Sequence, residues 1–165
     1  MSTTAARHTE EDIHEVEVAC FRTDYSDDAK WERLLELAQT VKSDFRVCRK
    51  GSGGRSSQSD EEDHNWSFMC VMEGPELENM TAQDLEPISS GTFVVADRQS
   101  MQDDTFLLAH TYYEYDEETG DMSTEYVLKT GRYPAFDIIA PLINLPIANM
   151  DFEDFIPYSG SPCGI

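Results

Sequence analysis

A chain of 165 residues with 39% hydrophobic side chains can bury one core and is too short for two ordinary domains. Its 33 acidic and 12 basic residues leave a formal charge of −21, which repels phosphate backbones and anionic lipid. Nucleic acid and membrane surfaces are thereby disfavoured as partners, while a basic protein or a small-molecule ligand is not.

Residues 1–12 are polar, small or acidic and predict a disordered N-terminus ahead of a single α/β domain over 13–158. "MSTTAARHTEEDIHEVEVAC" holds no basic-then-apolar leader, and no apolar run approaches the ~20 residues that span a bilayer, so a cytoplasmic location is expected. "VEVACFRT" is rich in strand formers and almost continuously apolar from Val18 to Phe21, as in a strand covered on both faces. A helix should follow at once. Ser26 is a natural N-cap, Asp27 and Asp28 suit the first turn, and Trp31, Leu34, Leu35, Ala38 and Val41 recur at helical spacing.

Residues 49–64, "RKGSGGRSSQSDEEDH", carry no large apolar side chain and predict a flexible insertion rather than a domain boundary. Strands on either side can still pair, since each doubling of loop length costs only about 0.6 kcal/mol. "NWSFMCVME" reads as the second strand, and "MTAQDLEP" offers a Thr81 to Asp84 capping box for a helix that Pro87 ends. "GTFVVADR", 91–98, is the third strand. Strands alternating with helices indicate a largely parallel sheet to this point. Residues 105–131 then show two extended runs around "DEETGD", a hairpin that forces an antiparallel neighbour. Beyond Tyr133, prolines at 134, 141 and 146 break an apolar segment, leaving only "DFEDFI" as a helix with Asp151 as its cap. The tail, 159–165, should be loose. Cys20, Cys48, Cys70 and Cys163 form no CxxC pair and no zinc-like spacing with histidine, so reduced thiols are expected.

The elements sum to an α/β fold: one mixed sheet of about five strands, parallel in its N-terminal part and closed by an antiparallel C-terminal hairpin, with helices packed on it. Three phrases, "RTDYSDDAKW" at 22–31, "FVVADR" at 93–98 and "LPIANMDFEDF" at 145–155, make the chain resemble a family of small uncharacterised α/β proteins, a domain of unknown function found in actinobacteria and fungi. The resemblance runs from about residue 18 to residue 156 and implies the fold and a polar cluster, but no activity. The insertion at 49–64 and the long tyrosine-rich hairpin depart from that family's pattern.

Phosphate-cradling glycine loops, an EF-hand, HExxH and GxSxG are all absent from the sequence, and neither a cofactor nor a resident metal is expected. What remains is charge at strand exits. In open parallel sheets ligands collect beyond the carboxyl ends of strands, where Arg22 and Asp24 leave the first strand and Asp97 and Arg98 the third. If those strands adjoin, their side chains share one rim that could orient a polar ligand, transfer a proton or hold a divalent cation. Asp24, Asp97 and Arg98 are the catalytic candidates; Arg22, Asp28, His110 and Tyr112 are the substrate-binding ones. A purely architectural role stands beside this, because strand-end arginines and aspartates often satisfy one another. Two functions fit: small-molecule binding or a cofactor-independent tailoring enzyme of isomerase, cyclase or hydrolase type, and alternatively an acidic inhibitor- or immunity-like module for a basic protein partner.

Overall fold

The computed structural model describes residues 17–39, 45–49, 67–116 and 118–156. The expected disordered N-terminus, the C-terminal tail and all of the insertion after Arg49 lie outside the described residues. Among these, β1 (Glu17–Arg22), α1 (Asp28–Gln39), β2 (Phe45–Arg49), β3 (Ser67–Met72), α2 (Ala82–Leu85), β4 (Thr92–Ala96), α3 (Ser100–Asp103), β5 (Thr105–Tyr115), β6 (Met122–Pro134), α4 (Ile139–Asn144) and α5 (Phe152–Phe155) follow in chain order.

One sheet of six strands, in the order β2-β3-β1-β4-β5-β6, organises the chain. β2, β3, β1 and β4 run parallel, while β5 and β6 run antiparallel to their neighbours. The α/β class and the mixed sheet expected from the sequence are therefore present. The sixth strand is β2, which the sequence reading passed over. "FRVCR" is short and carries two arginines, so it lacks the apolar run that marked the covered strands.

β1 sits inside the sheet with parallel neighbours on both sides, which explains its near-continuous burial from Val18 to Arg22. Its alternate side chains feed two cores. On one face Val18 and Cys20 pack with Trp31 and Leu34 of α1, Val94, Phe106 and Leu108, and with Leu142, Phe152 and Phe155 of the last two helices. On the other, Phe21, Phe93 and Val95 pack with Leu77 and Leu85 around α2, with the Phe21 and Phe93 rings edge to face at 5.9 Å. Burial pushes the Cys20 thiol up, so it stays protonated as a small apolar core residue.

Local chemistry sets the helix starts. Asp27, not Ser26, caps α1: its carboxylate accepts the Lys30 N–H at 2.9 Å, and its carbonyl accepts the Trp31 N–H. Thr81 and Asp84 form the expected capping box of α2. α4 was not expected, because Pro141 was read as a breaker. It occupies the first helical turn, where its missing N–H has no intrahelical partner to lose.

The chain's last described segment docks across β6. Ile156 covers Gly131, where a Cβ would lie 2.7 Å from Ile156 Cδ1 and Cγ1 and 2.8 Å from Cγ2. The whole branched side chain is in the way, so Gly131→Ala should cost about 1–3 kcal/mol in urea unfolding. In an Ile156→Ala background the same substitution should be near neutral. Equal costs in both backgrounds would show that Gly131 is not there to admit Ile156.

Candidate functional site

β1 and β4 are parallel neighbours with Arg22 opposite Ala96, so the two charged strand exits adjoin as expected. Thr23 continues the pairing by donating its N–H to the Ala96 carbonyl at 2.9 Å. This is also where the chain changes direction across the sheet. The α1 connection leads away to β2 on one side, while the α2 connection passes over β1 to β4 on the other, and such a switch point leaves a crevice beyond the strand ends.

A cavity of about 550 Å³ occupies that crevice on the α2 face. Val95 and Leu107, opposite each other in register, line it together with Thr130 of β6. Thr23, Asp24 and Ser26 come from the β1 exit, Asp97 and Arg98 from the β4 exit, and Asn79 to Gln83 from the start of α2. The Asn79 N–H donates to the Thr23 carbonyl at 2.9 Å and holds the α2 approach against β1.

The two aspartates differ sharply. Both Asp97 oxygens are taken: Arg132 of β6 grips the carboxylate with both terminal nitrogens, and Ser100 donates its N–H at 3.0 Å and its hydroxyl at 3.1 Å to Oδ1. Burial on its own would raise this carboxyl, but hydrogen bonds from Arg132 and Ser100, with the Arg132 charge, outweigh it and hold Asp97 below the usual carboxylate range. Asp24 has only half of its capacity used. Its Oδ1 accepts the Ser26 N–H at 2.8 Å, whereas Oδ2 is enclosed and has no hydrogen-bond partner among the described residues. A buried carboxylate oxygen without a donor is costly, and such atoms in native proteins call for an explanation. Arg98, exposed at the cavity rim, makes no ion pair or side-chain hydrogen bond among the described residues.

Arg22 does not face the cavity. It is 5% exposed and points to the α1 side, where Nε donates to the Asp24 carbonyl at 3.0 Å, one terminal nitrogen to Asp28 at 2.5 Å and the other to Glu73 at 3.2 Å. Its guanidinium lies 4.6 Å from the Tyr25 ring centroid and 5.4 Å from that of Trp31. The Trp31 indole N–H also donates to Glu73 at 2.9 Å. Arg22 and Asp28 thus shape the loop that presents Asp24 and do not line the cavity themselves.

His110 and Tyr112 are not brought to this site. Thr92 pairs with His110, at the opposite end of β4 from Asp97, and their side chains lie on the α1 face. There His110 Nδ1 lies 2.9 Å from the Thr92 hydroxyl, its ring stacks between Tyr112 and Phe152, and burial together with the Lys129 charge lowers its pKa against the pull of Glu153. Arg132 is the residue that sequence reasoning missed; only the cross-strand register Leu107↔Arg132 reveals it. Among the described residues no three His, Cys, Asp or Glu side chains gather as a metal site requires, and no helix is long and apolar enough to cross a membrane.

Residues 17–165 match the family described as a domain of unknown function, DUF6924, and the chain belongs to that family. No curated protein and no solved structure matches it.

The Asp97–Arg132 pair has a consequence for acid stability. A carboxyl lowered by folding contributes fully above its unfolded pKa of about 4 and loses that contribution as pH falls through the lowered folded value. Urea midpoints measured from neutral pH down to about pH 2 should therefore fall less steeply for Asp97→Asn than for the wild type, starting from a lower plateau. An unchanged acid slope would mean that the pair contributes no stability.

Proposed function

We propose that this member of the DUF6924 family binds a small polar metabolite in the cavity beyond β1 and β4 and exchanges a proton with it through Asp24, without a cofactor. One observation carries the reading: a carboxylate on the cavity wall has an enclosed oxygen that no group among the described residues satisfies. Folding alone favours supplying such an oxygen with a donor, as it does for Asp97, so the missing donor is assigned to a ligand.

The lining narrows the ligand. A volume of about 550 Å³ lies within the range of roughly 300–1,000 Å³ for small-molecule sites. Asp24 asks for an amine, amide or hydroxyl donor, and the unpaired Arg98 for a carboxylate or phosphate. Thr23, Ser26, Asn79, Gln83 and Thr130 add neutral hydrogen-bonding groups, while Met80, Val95 and Leu107 supply an apolar wall. A zwitterionic or hydroxylated acid fits this set better than a polyanion, since among the described residues Arg98 is the one unpaired cation at the rim.

In this reading Asp24 is the acid–base group, Arg98 anchors the ligand's acidic end, and Asp97 positions Arg132 rather than reacting, because its oxygens are already occupied. Proton transfer at carbon or oxygen next to a carbonyl would suit an isomerase, cyclase or hydrolase type of tailoring step.

Thermal-shift screening with amino acids, hydroxy acids, sugar acids and small amines tests the proposal. A ligand present at about 100 times its Kd adds roughly 2.7 kcal/mol, a shift of several degrees in a domain of this size. Asp24→Asn keeps the acceptor for Ser26 and removes an unsatisfied charge, so the free protein should melt at or above the wild-type temperature while losing most of the ligand response. Arg98→Ala should also lose the response to acidic ligands. If no compound in the set shifts the wild type, or if both variants respond as it does, the cavity is not the site.

A further inference from the structure

β5 and β6 run on past the sheet. β4 last pairs with β5 at Thr92↔His110, and the Thr111 N–H bond to the Gly91 carbonyl, 2.9 Å, is the final link. From Tyr112 to Val127 the two strands pair only with each other among the described residues, where β6 is the outermost strand. The register sets Tyr113 opposite Tyr126 and, past an irregularity in the pairing, Tyr115 opposite Met122, so four large side chains meet in two cross-strand pairs along this arm. They are 40% (Tyr113), 63% (Tyr115), 62% (Met122) and 53% (Tyr126) exposed, and the Tyr113 and Tyr126 ring centroids are 4.4 Å apart. From Tyr112 to Leu128 the sequence has six acidic residues and no lysine or arginine.

A two-stranded ribbon gains little by itself, so folding gives no reason to leave this aromatic surface in water. Charge decides among possible occupants. A second copy would bring together two arms of the same sign within chains of −21 each, and anionic lipid or nucleic acid meets the same repulsion. A basic polypeptide gains twice, because tyrosine faces attract ammonium and guanidinium groups and the surrounding acids steer the encounter. The protein itself uses this contact on the arm's other face, where Lys129 Nζ lies 4.6 Å from the Tyr112 ring centroid.

We propose that the tyrosine face of the arm docks an extended, lysine- and arginine-bearing segment of a partner protein. The cavity lies at the other end of the same strands, at Leu107 and Thr130, so this surface stands or falls independently of the ligand site.

The experiment uses the full chain and a fluorescein-labelled (Lys-Thr)4 peptide, followed by anisotropy in about 50 and about 150 mM NaCl, with (Glu-Thr)4 as the control. The basic peptide should bind and the acidic one should not. Tyr113→Ser/Tyr126→Ser should weaken binding about ten-fold at the higher salt, and Glu76→Gln/Glu78→Gln, which removes charge away from the arm, by less than about two-fold. Tyr115→Ser alone, at a ring 63% exposed, should lose about three-fold and serves if the double variant fails to fold. Equal affinity of the tyrosine variants and the wild type would reduce the effect to net charge and overturn the proposal. So would failure of the basic peptide to bind, or a wild-type dimer in light scattering that the tyrosine variants convert to monomers, which would assign the face to a second copy.

Discussion

A guanidinium buried at the end of an interior strand must find acceptors for its N–H groups, and the loops around it are shaped by that demand. Arg22 is drawn to the α1 side by Asp28, Glu73 and the rings of Tyr25 and Trp31. Its Nε takes the carbonyl of Asp24, which bends the chain back immediately after β1. Tyr25 adds a second tie, accepting the Gly74 N–H at 2.8 Å and so joining the exits of β1 and β3. With the backbone pinned on that side, the side chains of Thr23 and Asp24 are left to the α2 side, on the cavity wall. The charge packed into "RTDYSDD" thus serves two ends: Arg22, Asp27 and Asp28 fix the strand-to-helix handover, and Asp24 forms part of the crevice wall with one oxygen enclosed.

The contrast between Asp24 and Asp97 shows how the same residue type at neighbouring strand exits acquires opposite characters. Asp97 meets a bidentate arginine and the hydroxyl and N–H of Ser100, and is held ionised. Asp24 meets one backbone N–H and no other donor among the described residues. A fold that satisfies one carboxylate so fully has the means to satisfy another, so the bare oxygen of Asp24 is a cost that folding alone does not explain.

Much of this was legible in the sequence where a local rule governs. The covered strands show as apolar runs, α1 as helical spacing from Trp31 to Ala38, α2 as a Thr81–Asp84 box, and the β5–β6 hairpin as two extended runs around a turn. The adjacency of the β1 and β4 exits was a condition the sequence left open, and the strand pairing meets it. What stayed hidden depends on long-range register or on competition between equivalent groups. Arg132 reaches Asp97 across 35 positions, and Glu73 reaches Arg22 across 51. Ser26 and Asp27 both make good caps, and Asp24 settles the choice by taking the Ser26 N–H for its own turn. His110 and Tyr112 looked like neighbours of the site because strand parity gives the face but not which end of β4 lies opposite.

The cavity and the arm divide β5 and β6 between two mechanical regimes. At Leu107 β5 has β4 on one side and β6, with Thr130, on the other, and the residues around α2 complete the cavity wall, so it is held from several directions. Past Thr111 the hairpin has neither β4 nor α2 beside it among the described residues, and the side chains there meet in cross-strand pairs such as Tyr113 with Tyr126. Small ligands reward rigidity, because a few hydrogen bonds must repay the loss of their freedom. An extended polypeptide spreads its contacts over many residues and tolerates a surface that adjusts to it. The stiff end of the hairpin suits the first task and its free end the second, so the two proposals call for no shared conformational change and no communication along the strands.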